Sequence, residues 1–89
     1  MSNKVKTLDE ILGIIGKNKD KKIVTTNGIF DILHAGHVRL LEYSKSIGDI
    51  LIVLLNDDAS VKRYKGNDRP IFSEFYRSYL LSSIFYVDY

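Results

Sequence analysis

The residues best suited to chemistry lie in one ten-residue stretch that combines glycines, an aspartate and two histidines. It runs Gly28-Ile29-Phe30-Asp31-Ile32-Leu33-His34-Ala35-Gly36-His37. Gly28 lets the backbone approach an anion closely, and Gly36 lets the chain enter a helix between the two histidines. His34 and His37 are three residues apart, so both imidazoles can point at one anion. A histidine can donate a hydrogen bond to a phosphate oxygen in its neutral or its charged state, so the stretch predicts a phosphate-binding loop.

The two histidines also fit simpler interpretations, as exposed surface residues or as half of a metal site. A transition-metal site usually takes three or four ligands. The sequence has no cysteine and offers only Asp31 nearby, so we assign no metal ligand from the protein. Phe30, Ile32 and Leu33 are expected to belong to the hydrophobic core.

Two strands and a helix are predicted around this loop. Lys22 to Asn27 is rich in β-branched residues and predicts a strand. Gly36 to Ile47 has helical spacing of apolar residues, with Gly48 expected in the left-handed position after the helix. Ile50 to Leu55 is an unbroken aliphatic run, typical of a buried strand in a parallel sheet. Ligands of such α/β units bind beyond the carboxyl ends of the strands, where a helix N-terminus offers free amides to a phosphate.

The N-terminal part, residues 1–21, predicts a helix and a linker. Thr7 and Glu10 have the spacing of a capping box. The apolar residues that follow fall at helical spacing and predict a short packing helix, with the apolar positions Leu8, Ile11, Leu12 and Ile15.

After the second strand, Asn56 to Gly66 predicts a polar loop that holds at most a turn of helix. Ser73 is expected to cap a helix that runs to about Ser83. Phe85 to Tyr89 is expected to begin a third strand. The whole pattern predicts an α/β fold, a Rossmann-like parallel sheet of about three strands with the glycine–histidine loop between the first strand and its helix.

Composition narrows the class of protein. The chain has 89 residues, enough for one domain, and 45% hydrophobic with 27% charged residues indicates a globular core. A net charge of +2 is too small to indicate nucleic-acid binding. No apolar run approaches the ~18 residues that span a bilayer, so we expect no membrane partner and a cytoplasmic location.

The loop and the motifs that follow it resemble the HxGH, cytidylyltransferase-like nucleotidyltransferases. More narrowly, Thr26 to Tyr89 resembles the heptose 1-phosphate adenylyltransferase branch of that superfamily. The residues that carry the resemblance, besides the loop itself, are Thr26-Asn27-Gly28, Leu54 to Arg63, Lys65-Gly66, Arg69-Pro70, Arg77 and Val87-Asp88-Tyr89.

The resemblance implies a phosphate-binding role for the loop and its surroundings. His34 and His37 would hold the nucleotide phosphates and stabilise the charge that builds on the α-phosphate. Asp31 would order the loop. The remaining nucleotide-binding positions would be Asn27, Gly28, Ile29, Phe30 and Gly36, with Asp58 near the nucleotide sugar or the acceptor.

For the acceptor, the resemblance implies a set of basic residues. Lys65, with Lys62, would bridge the attacking phosphate and the triphosphate, and Arg69 and Arg77 would bind the substrate. Simpler interpretations remain open for these residues. The lysines fit a solvated basic face, Arg77 fits an ordinary surface residue of a helix, and Asp57 and Asp58 fit caps of the short helix after the strand.

The function that the resemblance implies is transfer of an adenylyl group from ATP, with Mg²⁺, to heptose 1-phosphate, with release of pyrophosphate. A CTP-using relative such as glycerol-3-phosphate cytidylyltransferase is the first alternative, and a non-catalytic nucleotide-binding or assembly module is the second. The resemblance covers only the first part of the family's domain, so we expect residues 22–89 to be incomplete at the C-terminus. A homo-oligomer, in which a second copy or the first helix covers the open sheet edge, is expected as a result.

Overall fold

The fold is organised by one strand–helix–strand unit, and the computed structural model describes residues 4–89. The strands pair in parallel, with Ile23 opposite Ile50 and Gly28 opposite Leu55, so the helix between them is the crossover. This confirms the predicted α/β architecture. The elements are α1 (Leu8–Lys17), β1 (Ile23–Gly28), α2 (Ala35–Ser46), β2 (Ile50–Leu55), α3 (Asp58–Lys65) and α4 (Glu74–Ser82).

The hydrophobic core lies where α2, β2, α4 and the last residues of the chain meet. Its fully or nearly fully buried members come from widely separated parts of the sequence: Phe30, Leu41, Leu51, Leu81 and Val87. Leu33 packs against this cluster as expected, whereas Ile32 is 53% exposed. The prediction that Ile32 belongs to the core is therefore wrong.

The first helix forms as predicted but buries none of its residues. Its capping box is complete, since the Glu10 amide donates to Thr7 Oγ1 at 3.2 Å and the Thr7 amide donates to Glu10 Oε1 at 2.9 Å. Leu8 is nevertheless 72% exposed. The apolar face of α1 borders an open groove of about 590 Å³ whose other walls come from β2 and α4.

The segment between β2 and α4 is more helical than predicted. Asp57 caps α3 by accepting a hydrogen bond from the Ser60 amide at 2.8 Å. The helix then continues for eight residues, not one turn. Ser73 caps α4 as predicted. No helix within residues 4–89 combines the length and apolar composition that a membrane span needs.

The C-terminal residues lie along β2 without forming a full strand. The Tyr89 amide donates to Leu51 O at 3.2 Å, and the Val53 amide donates to Tyr89 O at 2.9 Å. The Asp88 carboxylate accepts hydrogen bonds from the Leu51 amide and the Lys45 ammonium. The sheet of residues 4–89 therefore has two strands instead of the expected three. Within residues 4–89, β1 pairs only with β2, and the homo-oligomer stays a prediction.

Gly48 is required for close packing and not for a left-handed backbone, which corrects the sequence prediction. Among the glycines of residues 4–89, only Gly66 has a positive φ. A Cβ at position 48 would lie 2.5 Å from Val24 Cγ2 and 3.0 Å from the backbone oxygen of Lys22. The turn after α2 therefore passes directly against β1.

Gly48→Ala should lower the free energy of unfolding by about 1–3 kcal/mol, because the added methyl overpacks a site bounded by backbone. Gly13→Ala is the matched control, since Gly13 lies in α1 with nothing within 4 Å of an added Cβ. It should be neutral or stabilising by up to about 1 kcal/mol. Urea denaturation measures both, and equal effects of the two substitutions would contradict the packing argument.

Candidate functional site

A cavity of about 490 Å³ opens at the carboxyl end of β1. It is bordered by the loop after β1, the first turn of α2, the last turn of α3 and the segment before α4. Every lining residue except Ile32 was a predicted site residue. The lining comprises Gly28, Ile29, Phe30, Asp31, Ile32, His37, Lys65 and Arg69.

The loop after β1 is held in a strained conformation at Phe30. This residue has a φ of 49°, in the left-handed region, which costs a non-glycine residue of the order of 1–3 kcal/mol. Its ring is buried and packs over Gly28, where a Cβ would lie 2.8 Å from Phe30 Cε2. The ring also meets His37 edge to face, with centroids 5.4 Å apart. Packing on both sides therefore compensates the strained backbone.

Arg77 is the most deeply buried charged residue among those described, with 0% of its surface exposed. Its guanidinium donates to Ile29 O at 2.8 Å and to Asn56 O at 2.8 Å, which joins the loops after β1 and β2. It also donates to Phe72 O at 3.0 Å and to Asp58 Oδ1 at 2.7 Å. The expectation that Arg77 faces a substrate phosphate is wrong for this structure, because backbone oxygens and Asp58 surround its guanidinium.

Asp31 joins the same loop to the segment before α4. Its carboxylate accepts hydrogen bonds from the amides of Ile71 at 2.8 Å and Phe72 at 2.9 Å, and from Arg69 Nη1 at 3.0 Å. Burial favours the protonated acid, but these three hydrogen bonds outweigh it and hold the pKa of Asp31 below its ordinary value. Asp31 thus orders the loop, and the positive charge of Arg69 is already partnered.

The two histidines lie side by side at the start of α2, with ring centroids 3.9 Å apart. The Gly36 amide donates to His34 Nδ1 at 3.0 Å, and the His34 amide donates to His37 Nδ1 at 3.2 Å. The pKa of His37 lies below its ordinary 6.5. Partial burial is the larger cause, and electrostatic repulsion by the neighbouring His34 is the smaller one. His37 is therefore predominantly neutral at pH 7.

The charge in the cavity favours an anion. The Asp31 carboxylate is partnered by Arg69, and among residues 4–89 no acidic group lies within ion-pair distance of Lys65. The N-terminus of α2 adds the partial positive charge of the helix dipole. Lys65 and this helix end therefore leave a net positive potential where His37 borders the cavity.

Other predicted site residues lie near the cavity without lining it. Asp58 is ion-paired with Arg77, and Lys62 is exposed on α3. Asn27 is exposed near the end of β1. His34 and Gly36 belong to the turn that holds His37.

Sequence reasoning missed the role of Asn56 in holding the loops together. Its backbone oxygen accepts a hydrogen bond from Arg77, and its side chain donates to Ser60 Oγ at 2.7 Å. The only available signal was a polar residue directly after a buried strand.

The sequence that forms the cavity and its loop matches a known protein family. The profile of the family described as Cytidylyltransferase-like matches residues 25–89, which include most of β1, all of β2 and the whole loop between β1 and α2. The chain belongs to the cytidylyltransferase-like family. The match begins within β1, so the exposed helix α1 lies outside it.

Several curated proteins are similar to almost the whole chain. The bifunctional protein HldE of Campylobacter jejuni subsp. doylei is 54% identical over 97% of this chain. The protein of the same name from Helicobacter acinonychis is also 54% identical over 97% of it. In each case the match spans 18% of the relative's length.

A solved structure supports the cytidylyltransferase-like fold. The lipopolysaccharide core biosynthesis protein from Thermoplasma volcanium matches with a TM-score of 0.68 and 39% identity. The match covers 76% of this chain and 54% of that protein. The chain therefore spans about half of the solved relative and under a fifth of the curated ones.

Replacing Arg77 should test its role in holding the site together. Arg77→Met should lower the free energy of unfolding by about 3–5 kcal/mol, because it leaves Asp58 unpaired and removes the hydrogen bonds to three backbone oxygens. Arg39→Met, at an exposed position of α2, is the matched control and should stay within about 0.5 kcal/mol. Urea denaturation followed by circular dichroism measures both. A loss below about 1 kcal/mol for Arg77→Met would contradict the role given to this residue.

Acidic pH should weaken the fold through His37. Because its pKa is lowered in the folded state, its contribution to stability is complete above pH 6.5 and is lost as the pH falls through the lower value. His37→Asn keeps an acceptor in place of Nδ1 but does not titrate. Wild-type protein should therefore lose more unfolding free energy between pH 7 and pH 5 than this variant does, and parallel pH curves would refute the assignment.

Proposed function

We propose that the chain carries the phosphate-handling part of a nucleotidyltransferase that transfers an adenylyl group from ATP to a sugar 1-phosphate. The observation that supports this most directly is the cavity at the end of β1. It combines His37, Lys65 and the backbone of Gly28 to Phe30 in one net-positive site. Membership of the cytidylyltransferase-like family points to the same reaction class.

The reaction needs positioning and charge stabilisation more than covalent catalysis. A phosphate oxygen of the sugar 1-phosphate attacks the α-phosphorus of ATP in line. A new P–O bond forms, the bond between the α-phosphorus and the bridging oxygen breaks, and pyrophosphate leaves with the electron pair. Negative charge on the α-phosphate oxygens grows in the transition state, where fixed N–H donors and a lysine stabilise it.

Different residues of this chain would contact different phosphate groups. His37 and His34 would hold the α-phosphate oxygens, and the amides between Gly28 and Phe30 would line the phosphates. Lys65 would contact the attacking phosphate and the triphosphate together. Arg69, partnered by Asp31, would border the acceptor through the remaining donors of its guanidinium.

Mg²⁺ would accompany ATP and neutralise part of the triphosphate charge. Among residues 4–89 no group of three His, Cys, Asp or Glu side chains is placed to hold a metal ion. Asp31, the acidic residue that lines the cavity, is taken up by Arg69 and two amides. The described residues therefore do not fit a protein-held magnesium site, and we derive no step through the metal.

We propose heptose 1-phosphate as the acceptor. The motifs from Thr26 to Tyr89 resemble the heptose branch of the superfamily, and the solved relative is named for lipopolysaccharide core biosynthesis. The test is pyrophosphate release by the purified chain with Mg²⁺, in four pairings of ATP or CTP with heptose 1-phosphate or glycerol 3-phosphate. Release with ATP and heptose 1-phosphate alone is expected. Release only with CTP and glycerol 3-phosphate would assign the alternative branch, and a folded chain silent with every pair would be a non-catalytic module.

His37→Ala should lower the rate of pyrophosphate release by a factor of ~10²–10³, the scale of one lost preorganised donor. Lys65→Ala should also lower it, whereas Lys19→Ala changes an exposed lysine outside the cavity and serves as its control. Turnover close to the wild-type rate in His37→Ala would remove the catalytic role proposed for this histidine.

A further inference from the structure

Ile32 is exposed in the middle of a loop whose neighbouring side chains are fixed. Phe30 is buried, and the Asp31 carboxylate is taken up by Arg69 and two amides. Leu33, on the other side, packs against the hydrophobic core. Ile32 lies between these positions with 53% of its surface exposed. The loop therefore holds an isoleucine side chain at the surface in a defined place.

This side chain belongs to the wall of the cavity at the end of β1. Of the lining residues within 4–89, the other apolar ones are the half-buried Ile29 and the buried Phe30, while Lys65 and Arg69 supply positive charge. Sites for small molecules combine apolar surface with a few polar groups that fix the orientation of the ligand. Ile32 therefore adds an apolar contact to a cavity that otherwise favours an anion.

The position of Ile32 is on the side of the cavity where the acceptor is proposed to bind. Ile32 follows Asp31 directly, and Asp31 Oδ2 accepts a hydrogen bond from Arg69 Nη1 at 3.0 Å. Arg69 is the residue proposed to border the acceptor, whereas the nucleotide phosphates would contact His37 and the amides between Gly28 and Phe30. A carbon skeleton attached to a phosphate at Arg69 would therefore meet Ile32.

Two classes of acceptor differ in how they can use such a contact. In a sugar 1-phosphate, a ring carbon carries the phosphate oxygen directly, and the ring presents C–H groups in a fixed orientation. Glycerol 3-phosphate is a short chain that rotates freely and carries a hydroxyl on each of its other two carbons, so ordering it costs entropy. An isoleucine beside the phosphate favours the ring.

We propose that Ile32 is a specificity-determining residue that packs against the ring carbons of the acceptor and so selects a phosphate carried on a sugar ring. This inference rests on the proposed function, because it places the acceptor in the same cavity. Ile32 has no polar group to offer the reacting atoms. Its contact therefore acts on the affinity for the acceptor, and the nucleotide is bound without it.

Steady-state kinetics of pyrophosphate release by the full chain test the contact. Ile32→Ala should raise the KM for heptose 1-phosphate roughly tenfold, the scale of methylene groups lost from an apolar contact, and leave the KM for ATP close to the wild-type value. Ile71→Ala is the matched control. Ile71 is 56% exposed and its amide also bonds to Asp31, but it lies outside the cavity lining. Equal effects of the two substitutions, or an effect of Ile32→Ala on ATP alone, would overturn the proposal.

Nuclear magnetic resonance tests the same contact without turnover. In protein with ¹³C-labelled isoleucine δ1 methyl groups, Ile32→Val identifies the Ile32 signal because valine lacks that methyl. We expect a nuclear Overhauser effect between this methyl and the ring protons of heptose 1-phosphate. Inorganic phosphate serves as the probe without a ring, and its affinity should be the same for wild-type protein and Ile32→Ala. Equal weakening of both ligands in Ile32→Ala would show a damaged cavity and contradict the contact.

The two measurements separate this inference from the proposed function. Pyrophosphate release from ATP and heptose 1-phosphate with no contribution from Ile32 overturns the inference alone. Binding of heptose 1-phosphate against the Ile32 methyl without release supports the contact and overturns the proposed catalysis. A folded wild-type chain that binds no heptose 1-phosphate overturns both.

Discussion

Burial of the Arg77 guanidinium imposes a condition on every loop around it. A buried charged group is tolerated only when its N–H donors find acceptors. The acceptors for Arg77 come from the loop after β1, the residue directly after β2, the start of α3 and the segment before α4. Four segments must therefore keep their relative positions for one side chain to stay satisfied. The sheet of residues 4–89 has only two strands, so these contacts of Arg77 are a major constraint on the geometry of the loops.

The hydrogen bonds of Asp31 join two of these segments a second time, namely the loop after β1 and the segment before α4. Asp31 accepts from two amides and from Arg69, and Arg77 holds Ile29 and Phe72. The strained backbone of Phe30 lies between these two attachments. Fixing both flanks explains how a residue can stay in the left-handed region at a site that needs a rigid turn. Charged residues that looked alike in the sequence thus divide into two groups. Asp31, Asp58 and Arg77 form a frame, whereas Lys65 has no acidic partner among residues 4–89.

The sequence was most informative where the interacting groups lie close together in the chain. The caps at Thr7, Asp57 and Ser73 each join a side chain to an amide three residues away. The aliphatic run Ile50–Leu55 gave its strand with the right bounds. It was least informative for long-range contacts. Three acceptors of Arg77 are 19, 21 and 48 residues away, and nothing in local spacing distinguishes a buried arginine from an exposed one on a short helix.

The same limit applies to the candidate site, although its central loop could be predicted. The types and spacing of His34, Gly36 and His37 indicated a phosphate site, because both imidazoles can point at one anion and histidine can donate a hydrogen bond to a phosphate oxygen. The spacing did not reveal that the histidines also cap the helix. An imidazole can do both because its two nitrogens lie on different sides of the ring, whereas a serine or aspartate cap spends its polar end on the backbone. Within residues 4–89, neither Nε2 takes part in a hydrogen bond. The three-residue interval that a capping box needs also places the two imidazoles side by side at one helix end, with ring centroids 3.9 Å apart.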